Sequence, residues 1–254
     1  VACTPSTTME WRAMDGTGER ADSNWRPHGG SQRWDWCPQL QLTRPGDAQR
    51  EGVEHYIRER FAASHGARIE HFLPQLLSVG KGGQTCAAVG IASAGEGPLF
   101  AEQYLDAPIE TLIAERTGSP VLRSSIVEIG NLVSTWRGGS LLLFVVLSEL
   151  IDRYGFRYAL FTATPEVERV LARLGYAPVA LAKADPARLP DGGASWGRYY
   201  ARQPRVLFGE APPAIAAARR RLTYRLLARS LQGQIQRLTG REPLPGNVPA
   251  PVCG

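Results

Sequence analysis

The sharpest pattern of apolar and polar positions lies between Ile126 and Gly155, IVEIGNLVSTWRGGSLLLFVVLSELIDRYG. β-Branched residues from Ile126 to Val133 predict a strand, interrupted by Glu128, Gly130 and Asn131. A loop with Gly138 and Gly139 follows. An apolar run then predicts a helix from Ser140, a fitting N-cap, to about Leu150, with Gly155 as its stop. A strand that feeds a glycine turn and then a helix presents backbone N–H groups to a phosphate. The same pattern describes a buried strand packed on a core helix, its glycines serving only the turn.

The flanking patterns fill in a sheet. Gln39 to Thr43 alternates and predicts the first strand. Asp47 is placed to cap a helix reaching about Ser64, with Val53, Tyr56, Ile57 and Phe61 as its apolar stripe. Ile69 to Val79 reads as a shorter helical or irregular piece, broken at Pro74. Gln84 to Ala94 and Leu99 to Leu105, joined through Gly95 to Pro98, read as an antiparallel hairpin. Pro108 to Thr117 is a brief helix that begins with proline. Beyond the central unit come a strand from Phe156 to Thr162 and a helix from Pro165 to Leu174 that Gly175 ends. Strands over Tyr176 to Ala182 and Trp196 to Phe208 follow, the last holding Tyr199 and Tyr200, with Pro204 at a bulge or edge.

A single basic amphipathic helix is predicted from Pro212 to about Leu238. Ile215, Leu222, Leu226, Leu231, Ile235 and Leu238 lie near one face, and Arg219, Arg220, Arg221, Arg225, Arg229 and Arg237 crowd the rest. Such a helix lies on an anionic membrane surface, grips an acidic partner, or packs against the domain beside it. The whole order predicts an α/β (α+β) fold, a mixed and mostly antiparallel sheet with helices on both faces. The expected organisation is an extension over 1–38, a domain over 39–210, the basic helix over 211–240 and a Pro-rich tail over 241–254. The extension holds four scattered tryptophans and no period, so no regular structure is expected there.

Composition narrows the function classes. The 254 residues suffice for a full core. The formal charge is +5, carried almost wholly by arginine, with lysine only at Lys81 and Lys183. Basicity this modest does not point to nucleic acid; it suits an acidic protein partner or a phosphate-bearing ligand. No apolar run is long enough to span a membrane, and no segment has the order of a signal peptide, so the expected compartment is the cytoplasm. Cys3, Cys37, Cys86 and Cys253 lie far apart without histidines at ligand spacing. Neither a metal site nor a disulfide scaffold is expected.

Several segments resemble the bacterial thermostable hemolysin family: HFLPQLL (His71–Leu77), LFAEQYLDAPIE (Leu99–Glu110), VEIGNLVS (Val127–Ser134), LFTAT (Leu160–Thr164), RLG (Arg173–Gly175), LAKADPARLP (Leu181–Pro190) and WGRYYARQPRVLFGE (Trp196–Glu210). The resemblance covers roughly Gln39 to Glu210. The predicted element order is similar to that of GNAT-type N-acyltransferases, apart from the extra helix at Pro108–Thr117. At fold level it also resembles acyl-homoserine-lactone synthases, which draw on acyl carrier protein. The resemblance implies an acyltransferase using acyl-CoA or an acyl-phosphopantetheine on a carrier protein, with a small amine or amino acid as acceptor. It implies that the strand from Ile126 and its following loop–helix hold the donor, while the next strand splays away to admit the pantetheine arm. On that basis Ile129, Asn131, Val133, Arg137, Gly138, Gly139, Ser140, Thr162 and Thr164 are the donor-binding candidates. STWRGGS (Ser134–Ser140) departs from the Arg/Gln-x-x-Gly-x-Gly/Ala loop of acetyl-CoA enzymes. That departure leaves open a carrier-protein donor or a fold that has lost catalysis and acts on membranes or as a binding protein.

Acyl transfer to an amine needs a base and donors for an oxyanion. Glu102 and Glu128 are the candidates, each inside an apolar strand where a carboxylate is expensive unless paired or used. If the strands are neighbours, the two carboxylates raise one pKa. Alternatively each is fixed to an arginine such as Arg123 or Arg137. Tyr104 is a candidate for orienting the amine. Asp106 either does the same or caps the following helix. Asn131 is alternatively a bulge residue beside Gly130, Thr164 an ordinary helix cap, and His71 a partly buried structural histidine.

Overall fold

The computed structural model describes residues 38–136, 138–173 and 176–240. Strands β1 (Gln39–Thr43), β2 (Gln75–Lys81), β3 (Gln84–Ser93), β4 (Ile126–Ser134), β5 (Tyr158–Ala163), β6 (Val179–Lys183) and β7 (Arg205–Glu210) form one sheet. Its order is β1-β2-β3-β4-β5-β7-β6. β4 and β5 are parallel, and the other pairs are antiparallel. Helices α1 (Arg50–His65) and α2 (Ile109–Thr117) cover one face, while α3 (Gly139–Arg153), α5 (Ala211–Arg219) and α6 (Leu222–Gly240) cover the other. Helix α4 (Pro165–Arg173) follows β5. The expected mixed sheet with helices on both faces is therefore what the chain forms.

Four elements differ from the sequence expectation. β2 replaces the helical piece around Pro74. Leu76, Leu77 and Val79 are fully buried, Leu76 toward α1 and Leu77 and Val79 toward α3. A strand buried on both faces loses its period of two and cannot be told from a helix by pattern. The hairpin is consequently β2–β3, turned at Gly82 and Gly83, which both have positive φ. Leu99 to Leu105 is not a strand: its core is a 3₁₀ helix, Phe100–Tyr104, packed over the sheet. Trp196 to Gln203 likewise forms 3₁₀ turns, so the last strand shrinks to β7 and Pro204 precedes it.

The basic segment is two helices, not one. A turn at Arg220 and Arg221 separates α5 from α6, closed by their amides on the carbonyls of Ala217 and Ala218. The break lets both apolar stripes face inward. Ile215, Leu231, Ile235 and Leu238 join the same core as α3 and the sheet. Polar contacts lock the pair in place: Arg219 binds Glu149 and Asp152 of α3, and the Tyr224 hydroxyl donates to Glu149 at 2.7 Å. At the sheet edge the Gln234 side chain accepts from Leu40 N at 2.9 Å and donates to the Pro38 carbonyl at 2.8 Å. Of the six apolar residues expected to form one face, Leu222 and Leu226 remain exposed. Ile235→Ala should lower the unfolding free energy by about 2–3 kcal/mol in a denaturant titration. A loss under half of that would mean that α6 is not part of the cooperative core.

Two helix starts also change. α3 begins at Gly139 with Gly138 at the N-cap, so Ser140 sits inside the first turn. Asp47 does not cap α1; its carboxylate accepts from Arg44 N at 2.8 Å and closes the turn before the helix.

Candidate active site

β4 and β5 pair over four residues only, from Ile126–Tyr158 to Ile129–Phe161. Beyond that point β4 stays with β3 and β5 stays with β7, so the parallel strands part. The divergence begins at a β-bulge. Opposite Val89, between the pairs Gly90–Gly130 and Ala88–Val133, β4 carries two residues, Asn131 and Leu132. Asn131 adopts φ +50°. Its side chain accepts from Leu73 N at 3.0 Å and donates to the His71 carbonyl at 3.3 Å, tying the bulge to the segment before β2. The amide expected to serve a donor is thus committed to the fold, which is the bulge alternative.

The slot between the parted strands opens into a cavity of about 1550 Å³. Glu128, Ile129, Val133, Ser134, Thr162 and Thr164 line its mouth, with Ser140 and Leu141 from the first turn of α3. First-turn amides have no partner inside their own helix, so they are available there. The loop before them is closed on the Trp136 carbonyl, which accepts from Ser134 Oγ at 3.1 Å and Gly139 N at 2.9 Å. A Cβ on Gly139 would lie 2.6 Å from Ser134 Oγ and 3.2 Å from Ala87 Cβ, so any larger residue would displace the hydroxyl that closes this loop. Arg137 lies outside the described residues, as do the tryptophan-bearing N-terminus and the Pro-rich tail. The Thr162 hydroxyl is buried and has no hydrogen-bond partner among the described residues. Thr164 is buried just before α4, its carbonyl accepting from Glu168 N at 3.0 Å, which is the cap alternative.

Glu128 is 3% exposed and forms no ion pair with a described residue. Its two oxygens accept from Phe100 N at 2.8 Å and Ala101 N at 2.9 Å, the first amides of the 3₁₀ helix. Burial drives its pKa up to about 7 against the pull of those two amides, and the charge of Glu102 adds to the rise. Glu102 has the opposite fate. Burial would raise it, but the Arg123 guanidinium and the amides of Leu99 and Ile109 hold it below the usual carboxylate range. Arg123 forks onto both Glu102 oxygens at 2.7 and 2.6 Å and also reaches Glu110 at 2.7 Å. Glu102 is therefore a ligand of Arg123 and an anchor of the 99–109 segment, and its low pKa makes it a poor base. Asp106 neither caps α2 nor faces the cavity; it is exposed and paired with Arg188.

Tyr104 is buried, and its hydroxyl lies 2.5 Å from that of Tyr200. Burial and that hydrogen bond raise its pKa, and burial pushes Tyr200 up to about 12. Both remain neutral phenols, able to orient a polar group but not to supply a ready proton. Around them stands an aromatic wall. Phe100 stacks on His71 with centroids 5.0 Å apart, and Trp196 touches Phe61, Phe100, Tyr199 and Tyr200. His71 lines the cavity and is kept neutral by burial. Trp196 and Tyr199 also line it, and the strand expected over Trp196–Phe208 concealed them. The glycines at 192, 193 and 197 were the available signal that this stretch folds into turns.

The family model of thermostable hemolysins matches residues 43–215. The chain belongs to the thermostable hemolysin family. No curated protein matches the chain in sequence. Among solved structures, FeeM, an N-acyl amino acid synthase from uncultured soil microbes, is 11% identical over 70% of this chain and 98% of its own, with a TM-score of 0.51. MesI, a CoA-dependent acyl-homoserine lactone synthase, is 18% identical over 72% and 94%, at a TM-score of 0.45. An acyl-CoA N-acyltransferase from Pseudomonas aeruginosa is 11% identical over 68% and 99%, at 0.39. At such identities the likeness to FeeM is one of fold. The chain has a GNAT-like fold.

Proposed function

We propose that the chain is an N-acyltransferase that moves an acyl group from a thioester, acyl-CoA or acyl carrier protein, to the amine of a small acceptor such as an amino acid. The observation that carries this reading is Glu128, a buried carboxylate with a raised pKa at the base of a slot between two parting parallel strands. In this reading the slot takes the extended pantetheine arm, whose amides pair with the edge of β4 that β5 has left. The amine enters from the aromatic side. Glu128 takes its proton, the nitrogen attacks the thioester carbonyl, the C–N bond forms, and the C–S bond breaks to release a thiolate that is then protonated. Backbone N–H groups at the slot stabilise the oxyanion.

The test is release of free thiol from a panel of acyl-CoAs and acyl carrier proteins, with amino acids and simple amines as acceptors. Release that depends on both donor and acceptor is the expected result. No release with any pair, together with no thermal shift on adding CoA or phosphopantetheine, would overturn the reading.

A further inference from the structure

The cavity does not end at the slot. Ile129, Phe161, Ala159 and Gly209 lie on adjacent central strands, β4, β5 and β7, on the face that α3 covers. Residues in the middle of a seven-stranded sheet are normally sealed by the layer above, yet all four are part-exposed and line the cavity. Together they floor a trough, roofed by Leu147 of α3 and Ile215 of α5. These six residues offer hydrocarbon and no side-chain hydrogen-bonding group, so the trough suits neither a phosphate nor a run of pantetheine amides; the polar groups beside the roof are Ser148 of α3 and the buried Tyr176 hydroxyl. The whole cavity, about 1550 Å³, exceeds the roughly 300–1,000 Å³ of an ordinary small-ligand site.

The register sets the trough's reach. From Ile129 it crosses two strand spacings to β7 and shifts two residues along, a diagonal of about 12 Å. At its far end Ala159 faces Gly209 across the β5–β7 pair. A Cβ on Gly209 would meet nothing within 4 Å, and its φ is not of the left-handed kind, so the missing side chain is open space.

We propose that this trough holds the aliphatic tail of the donor, a medium-length acyl chain rather than acetyl, and that Gly209 with Ala159 sets its length. The chain enters where β4 and β5 part and lies across β5 with its methyl end at Gly209. Its identity as a donor tail rests on the acyl-transfer reading, whereas its binding does not. Burying each further methylene favours the longer donor, and the open space at Gly209 is what admits the far end of the chain, so a side chain built there shortens the reach.

The experiment compares the wild type with Gly209→Leu and, as a milder second plug, Ala159→Val. One arm measures calorimetric binding of sodium decanoate. The other measures thiol release from acetyl-, hexanoyl-, decanoyl- and hexadecanoyl-CoA and from the same acyl groups on carrier protein. The wild type should bind decanoate and favour decanoyl over acetyl. The plugged variants should lose decanoate binding, and their decanoyl-to-hexanoyl ratio should fall at least about tenfold. Folded variants that bind decanoate like the wild type overturn the trough, as does a wild type that fails to bind it. If no thioester reacts but decanoate binds and the plugs abolish it, the acyl-transfer reading fails while the hydrocarbon site stands.

Discussion

Glu128→Gln should cut acyl transfer by about 10²–10⁴-fold, the usual worth of a positioned base. The pH profile of kcat/KM should be lost with it. In the wild type the carboxylate is the working form, so the rate should climb with pH and level off above about 7, the value to which burial has lifted this group. The same lift makes a claim on stability. A carboxyl whose pKa is raised on folding holds its proton more tightly in the native state. The associated stability is fully present below the unfolded value of 4.5 and is lost as pH rises through about 7. Glutamine has no proton to lose, but it offers one acceptor oxygen to the two amides that Glu128 holds, so a constant loss of stability accompanies the substitution. The difference between variant and wild type should nevertheless move in the variant's favour by up to about 3 kcal/mol between pH 5 and pH 8–9. An unchanged rate removes Glu128 from the chemistry; a variant less stable by the same margin at every pH contradicts the raised pKa.

Arg123→Met should destabilise the fold by about 2–3 kcal/mol, between the worth of an exposed ion pair and the loss of one member of a fully buried one, since Arg123 and Glu110 are each 29% exposed. Arg123 links Glu102, Glu110 and the Gly97 carbonyl. Without it Glu102 stays only 16% exposed beside no cation. The damage also propagates, because Glu102 accepts from Leu99 N and Ile109 N and so fixes both ends of the stretch that gives Phe100 N and Ala101 N to Glu128. Chemical denaturation measures the first effect, and the pH profile measures the second. As those amides loosen, they pull the Glu128 pKa down less, and the rising limb should move to higher pH. A loss of stability with the limb unmoved would show that Arg123 supports the fold but not the site.

The sequence is most legible where burial is one-sided: β1 and α1 show their periods. β3, β4 and α3 are buried on more than one side and are read instead from runs of small, β-branched or apolar residues between glycine turns, and Glu128 stands out as a charge in an apolar strand. β2 is misread because Leu76, Leu77 and Val79 are buried on both faces. The 99–105 and 196–203 segments have no period to show, since short 3₁₀ turns present no continuous face. That mistake matters for the site. With Leu99–Leu105 as a strand, Glu102 and Glu128 look equivalent. In the fold one accepts an arginine and the other accepts two amides, and this difference in partners is tertiary. The aromatic wall around Trp196 is hidden for the same reason. The break at Arg220 and Arg221 is invisible in composition because both halves carry the same mixture of arginine and leucine.

The bulge at Asn131 gives the site an unusual dependence on length. Deleting one residue between Gly130 and Val133 would restore an unbroken ladder with β3. β4 would then be free to run alongside β5 to its end, and the slot would close like a zipped seam. For a lineage built on this fold, one inserted or lost codon therefore separates a sheet that admits a ligand from one that is sealed. Length at this point, more than residue identity, is the feature to compare between chains when asking which of them keep an open site.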